Sequence, residues 1–255
     1  MAAFAAWQCR RAICMVVGIM RMLVIRNVVI TALSTSGIRL DKINFFRVLA
    51  VVLMAGVYLF HKLVAEHFSL RPVIAYFLIL FAIRYLFLFG GFGKRGFSRS
   101  MIRVFGEGRG WDIYELITSL LFFQRGLCFG LLAQATGGQL FGVPNHFTTI
   151  AGIVFLLIGL WVNVAGSLVI GIDTYFYKDL FLERAIGEFQ VKGPYKYFQN
   201  PMYGIGQLSG YGAALIVGSY VGIIATFLNQ LTMYVFNYLI EKPHIHSMFK
   251  SGRGL

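Results

Sequence analysis

The sequence predicts an all-α protein, a polytopic transmembrane helical bundle of about six spans ending in a helical hairpin. Three observations predict it. Of 255 residues, 58% are apolar and only 13% charged, with a mean hydropathy of +0.73. Soluble domains carry about 25% charged residues, and a soluble fold of this size needs far more polar surface. Apolar stretches of about 20 residues, the length that crosses a bilayer, recur along the chain. The basic residues also gather on alternate connections, as they do in membrane bundles.

The elements follow in order. Residues 1–44 read as a basic leader or an interfacial helix, because Arg10, Arg11, Arg21 and Arg26 make a full span costly. Residues 45–146 hold the N-terminal transmembrane helices. The first span, 45–64, has no charge between Val48 and Phe60. The second, 72–91, carries Arg84, and the third, 113–135, carries Glu115 and Arg125. Residues 147–255 form the C-terminal region. Its first span, 147–171, is uncharged. Spans 202–217 and 221–240 form the hairpin around Gly218-Ser219-Tyr220. Asn200 reads as the N-cap and Pro201 as the first helical residue of the fifth span.

With the N-terminus in the cytoplasm, cytoplasmic segments hold 19 Lys and Arg and the opposite side only Lys62 and Arg71. That is the positive-inside pattern for an even number of spans. The net charge of +13 therefore reads as loops facing anionic lipid, not as a nucleic-acid surface. The three cysteines, Cys9, Cys14 and Cys128, form no metal spacing and no disulfide framework. Only His244 and His246 lie close together, so no metal site is expected.

Polar groups inside spans mark function by default. Asn200, Tyr203 and Gln207 share one helical face, and Gln230, Tyr234, Asn237 and Glu241 share another. The hairpin brings the start of one stripe beside the end of the other at the cytoplasmic mouth. Interhelical hydrogen bonding is the plain structural alternative. Gly206 and Gly210 read first as close helix packing. Lys192, Lys196 and Arg184 suit a lipid phosphate, although ordinary loop charge explains any one of them.

The block Gly193-Pro194-Tyr195, Asn200-Pro201-Met202-Tyr203-Gly204, Gly210-Tyr211-Gly212 and Glu241-Lys242-Pro243-His244-Ile245 resembles the integral-membrane phospholipid methyltransferases. These are the phosphatidylethanolamine N-methyltransferases, related to the isoprenylcysteine carboxyl methyltransferases. The segment from Asp173 to Asp179 resembles the family's polar-aromatic stretch. The resemblance covers about residues 155–250. It implies methyl transfer from S-adenosylmethionine to phosphatidylethanolamine, with the cofactor in the C-terminal hairpin. Glu241 and Tyr203 are then the expected catalytic residues. Asn200, Pro201, Tyr203, Gly206, Tyr211, Glu241 and His244 are the expected cofactor contacts. Lys192, Tyr195, Lys196 and Asp173 are the expected substrate contacts. The sequence departs from some relatives at Lys242, where they carry a second glutamate, and at Asn200, where they carry histidine.

The implied enzyme is a multi-pass membrane protein with its site facing the cytoplasm. It would sit in the endoplasmic reticulum membrane of a eukaryote, or the inner or plasma membrane of a prokaryote. Two other readings stay open at this point. One is a carboxyl methyltransferase acting on a lipidated peptide. The other is a non-enzymatic transporter or scaffold, in which Arg84, Glu115 and Arg125 form one buried charged set.

Overall fold

A computed structural model describes residues 22–67, 69–92, 96–138, 140, 145–186 and 191–251, except the side chains of 248–251. Most of the expected leader, residues 1–21 with Cys9 and Cys14, lies outside the described residues. Among those described, every regular element is helical. α1 is Met22–Thr35. α2 is Phe45–His67, α3 Leu70–Gly91, α4 Phe97–Ala135 and α5 Asn145–Ile170. Two short helices follow, α6 (Ile172–Tyr175) and α7 (Lys178–Leu182), then 3-10 turns at Gly193–Lys196 and Ile205–Gln207. α8 is Leu208–Ile216 and α9 Tyr220–Phe236, and a π-helical turn, Asn237–Glu241, leads into α10 (Lys242–Ser251).

Five helices are long and apolar enough to cross a membrane: α2, α3, α4, α5 and α9 with its continuation to Ser247. Large apolar side chains such as Val52, Leu59, Leu86, Leu157 and Trp161 stay exposed on their outer faces, as a surface solvated by lipid requires. α1 is too short to span, in keeping with its reading as a segment that does not cross. Its outer turns expose Met22, Val24 and Ile25, while Thr31 and Ser34 are buried. α4 begins well before the expected span and is broken at Gly106, whose φ of 77° is not helical.

The fifth expected span is corrected by the structure. Residues 201–204 form turns, and α8 has only 9 residues, about 13 Å of helix against a hydrocarbon core of about 30 Å. Glycines at 204, 206, 210 and 212 weaken helix propensity here. They also let the segment lie against α5 at backbone distance. A Cβ on Gly159 would collide with the Ser209 backbone, and one on Gly212 with the Leu156 backbone. The contacts of Gly152, Gly159 and Gly166 with Ile216, Ser209 and Met202 in turn show that 202–216 runs antiparallel to α5. Irregular backbone at membrane depth is tolerated when protein covers it, and Pro201 and Gly206 are buried.

The hairpin itself is as expected. Gly218 turns at φ 65°, and a Cβ there would collide with the Gly138 carbonyl. Ser219 caps α9 by accepting the Gly222 N–H at 2.8 Å. Ser219 also exchanges a hydrogen bond with Thr136 at 2.6 Å, which ties the hairpin tip to the end of α4.

At the opposite end an ion cluster joins the first 47 residues to the rest. Arg39 is buried, and its Nη2 donates to Asp41 and to Asp173, both at 2.8 Å. Its Nε lies 3.0 Å from Glu115, which Arg47 also engages at 2.9 Å. Lys178 Nζ donates to the other oxygen of Asp173 at 2.7 Å. Glu115 thus pairs with Arg39 and Arg47, so Arg84, Glu115 and Arg125 do not form one charged set.

Burial alone would raise the pKa of Asp173, but hydrogen bonds from Lys178 and Arg39 outweigh it and hold it below the ordinary 3.8. Asp41 is likewise lowered, because its bond from Arg39 outweighs burial. Carboxylates lowered in the folded state stabilise it above their unfolded pKa and lose that contribution as pH falls through the folded one. The wild type is therefore expected to lose melting temperature in detergent below about pH 4. Asp173→Asn should lose part of it already at pH 7 and fall less steeply in acid. Identical pH curves for the two proteins would contradict this.

Below the cluster lies an aromatic core of Trp111, Tyr114, Phe122, Phe176, Tyr177, Phe181 and Phe236. Tyr177 is held there at φ 64°, a left-handed conformation that a bulky residue adopts only when its surroundings fix it.

Candidate functional site

The segment 200–207 and helix α9 face each other through three polar rungs. Asn200 Nδ2 donates to Asn237 Oδ1 at 3.1 Å. Tyr203 Oη donates to Glu241 Oε1 at 2.6 Å. Asn229 Nδ2 donates to Gln207 Oε1 at 2.8 Å. Gln230 adds a cross-tie, donating to the Tyr203 carbonyl at 3.1 Å and accepting from Tyr211 Oη at 2.8 Å. The two stripes expected to meet do meet, with 37 or 38 residues between the partners of the upper rungs.

The π-helical turn brings Asn237 back onto Glu241. Asn237 Nδ2 donates to Glu241 Oε2 at 2.5 Å. Single π turns inside helices recur at functional sites, and this one fixes a direction. A carboxylate only accepts, so Asn237 must turn its amide N–H₂ toward Glu241. Its oxygen then receives Asn200 Nδ2, and Asn200 Oδ1 is left as an acceptor with no partner among the described residues. Behind Glu241, Tyr177 Oη lies 3.4 Å from Tyr203 Oη. Since Tyr203 donates to Glu241, Tyr177 donates to Tyr203.

In front of this chain is a cavity of about 550 Å³, within the usual range for small-molecule sites of about 300–1,000 Å³. Asn200, Pro201, Gly204, Tyr234, Asn237 and Lys242 are among its lining residues. A Cβ on Gly204 would press on Tyr234 Oη at 3.1 Å, so glycine there keeps the wall open. Tyr203 and Glu241 do not line the cavity. They stand one hydrogen bond behind it.

The other expected contacts are placed as follows. Asn200 is not an N-cap and Pro201 does not open a helix: α8 starts at Leu208, and the Asn200 side chain is spent on Asn237. The cause is the glycine-rich run after Tyr203, which turns before it coils. Gly206 faces α5, where Asn163 Nδ2 donates to its carbonyl at 2.9 Å. Tyr211 is bonded to Gln230 between α8 and α9. His244 lies on α10, beyond the cavity lining. Asp173 belongs to the ion cluster with Arg39 and Lys178. Lys192 and Lys196 are exposed, with Lys196 over the ring of Tyr197 on the cavity wall. Tyr195 is half-buried near Gly166 of α5. Sequence reasoning missed Tyr177 as the third member of the Tyr203–Glu241 chain, although it sits inside the segment 173–179. It also missed Tyr197, Phe198 and Tyr238, which line the cavity.

Residues 147–252 match the family model described as phospholipid methyltransferase. Phosphatidylethanolamine N-methyltransferase of Clavispora lusitaniae is 26% identical over 148 residues, which is 54% of this chain and 17% of that protein. The enzyme of that name from Schizosaccharomyces japonicus is 31% identical over 101 residues, 40% of this chain and 11% of the relative. The one from Saccharomyces cerevisiae is 26% identical over 143 residues, 56% and 16% respectively. The chain therefore spans less than a fifth of the length of these relatives. No solved structure matches it. The resemblance carried by the Asn-Pro-x-Tyr and Glu-x-Pro pair is borne out for this region.

Proposed function

We propose, from the similarity of residues 147–252 to the phospholipid methyltransferases, that this chain transfers a methyl group from S-adenosylmethionine to the amine of phosphatidylethanolamine. The observation that carries the proposal is the roughly 550 Å³ cavity backed by the Glu241–Asn237–Asn200 chain. The donor set fits the cofactor. Asn200 Oδ1 is a free acceptor for a hydroxyl or ammonium group. Glu241 supplies negative charge one residue behind the wall, and Tyr234 and Tyr238 present ring faces suited to a cation.

The cofactor supplies a methyl group on a cationic sulfur. Positive charge moves to the acceptor nitrogen and none is created, so alignment and exclusion of water carry much of the catalysis. The acceptor amine must first be free of its ammonium proton. Tyr203 Oη, hydrogen-bonded to Glu241 Oε1, provides the route by which that proton reaches a carboxylate. Tyr177 holds Tyr203 from behind. The site opens toward the cytoplasm, in an endoplasmic reticulum membrane or in a prokaryotic inner or plasma membrane, as the distribution of basic residues favours.

The test uses the full chain purified in detergent with phosphatidylethanolamine. Calorimetry should show binding of S-adenosylmethionine, and label from the methyl group should enter the extracted lipid as N-methylated headgroup. Asn200→Ala removes the free acceptor and should weaken cofactor binding about tenfold. A folded wild type that binds no cofactor and labels no lipid would make the proposal wrong.

A further inference from the structure

Arg84 and Arg125 lie inside membrane-spanning helices, and neither takes part in an ion pair among the described residues. Arg84 is 4% exposed. Its Nη atoms meet only neutral acceptors, Asn229 Oδ1 at 3.3 Å and Met233 Sδ at 3.8 Å. Its Nε is buried with no hydrogen-bond partner among the described residues. Its guanidinium also lies over the rings of Tyr85 and Phe122, at 5.3 and 5.6 Å. Arg125 is near enough for the two charges to act on one another. Both line one shallow groove between α3 and α4, with Leu80, Phe81, Leu121 and Phe129 as apolar walls.

Two like charges facing each other at membrane depth are mutually repulsive, and each is costly there without a counter-charge. Elsewhere in the fold the buried arginine Arg39 has three carboxylates around it. Arg84 and Arg125 have none. Guanidinium groups match phosphate in shape as well as charge. The groove is too small for a whole headgroup, so the anion sits at its mouth, and the apolar walls suit the start of an acyl chain.

We infer that Arg84 and Arg125 bind the phosphate of a phospholipid entering between α3 and α4. The inference rests on the proposed lipid methylation and adds an entry site to it. In a phospholipid the phosphate lies between the amine and the acyl chains. Its site therefore belongs deeper in the bilayer than the site of the amine. Met233, a partner of Arg84, precedes Glu241 by eight residues on one continuous helical path, about 12 Å of travel toward the membrane interior. The arginines collect the lipid below the cavity, and its headgroup then moves up to it.

Arg84→Gln, Arg125→Gln and Arg125→Lys of the full chain test this in mixed micelles, with elution volume and melting temperature as folding controls. Arg125 has no partner to lose, so its glutamine variant keeps the test alive should Arg84→Gln fail to fold. Both glutamine variants should raise the apparent KM for dioleoylphosphatidylethanolamine about tenfold, with kcat and cofactor affinity unchanged. Arg125→Lys should recover most of the loss. Native mass spectrometry reads binding without turnover: phosphatidylethanolamine adducts should drop in the variants while dioleoylglycerol adducts, which lack phosphate, do not. Unchanged KM and adducts in the folded variants would overturn the site. Displacement of the lipid by millimolar inorganic phosphate would overturn the assignment to a lipid in favour of a soluble anion. A wild type that transfers no methyl group, yet keeps arginine-dependent adducts, would remove the enzymatic proposal and leave the lipid site standing.

Discussion

Glu241→Gln is expected to cut methyl transfer to phosphatidylethanolamine by at least about tenfold, the low end of what one acid–base or orienting group supplies. The substitution keeps the size of the side chain but introduces a donor. Glu241 accepts from Tyr203 at 2.6 Å and from Asn237 at 2.5 Å. A glutamine cannot accept from both with two oxygens. Its N–H₂ would face either the Tyr203 hydroxyl or the Asn237 amide. If Asn237 turns over to accommodate it, the bond from Asn200 is lost unless Asn200 turns as well. The change therefore removes a charge and reverses the polarity of the cavity wall. Loss of cofactor affinity should accompany loss of rate. Tyr203→Phe removes one donor and keeps the ring, so a smaller loss is expected. The measurement is the initial rate of label incorporation beside calorimetric cofactor binding. Full turnover by Glu241→Gln would mean that the cavity does not depend on its carboxylate.

Gly159→Leu should have the largest effect on the fold. A Cβ at this position meets the backbone of Ser209 and Leu208, not the end of a flexible side chain. Overpacking of a well-packed contact costs about 1–3 kcal/mol, and a clash with backbone lies at the upper end or beyond. α8 would be pushed off α5, and the rungs to α9 would go with it. Lower yield and a lower melting temperature in detergent are expected, together with lost cofactor binding. Gly56→Leu on α2 is the matched control. Gly56 is exposed, and nothing lies within 4 Å of its Cβ position, so its melting profile should equal that of the wild type. Equal profiles for Gly159→Leu would show that the close approach of α8 to α5 is dispensable.

Much of the fold was legible without coordinates. Long apolar runs can satisfy their backbone in lipid only as helices, so α2, α3, α5 and α9 follow from composition and length. The hairpin turn was legible because Gly218 and Ser219 are the residues that a turn and a helix cap call for. The meeting of Asn200 and Tyr203 with Asn237 and Glu241 was legible because helical periodicity places each pair on one face and a hairpin leaves little choice of register.

Periodicity ended where glycine took over. It assigned Asn200 and Pro201 to a helix start, but helix propensity there is low and packing against α5 is tight, so tertiary contact decided that 201–204 would turn. The same contact turned Gly206 toward Asn163. Long-range ion pairing placed Asp173 with Arg39, 134 residues away, because a buried charge takes whichever counter-charge the fold delivers. Nothing local in the sequence ranks Arg39 above other partners. The sequence by itself determined the membrane-spanning class, the hairpin and the residues of the upper two rungs, since these follow from local periodicity and the bilayer's demand for internal hydrogen bonds. Only the tertiary structure decided that Glu241 stands behind the cavity wall, that Tyr177 completes its chain, and that Arg84 and Arg125 share one groove without a carboxylate. Those outcomes depend on which side chains meet across distant helices, and packing geometry, not spacing along the chain, settles that.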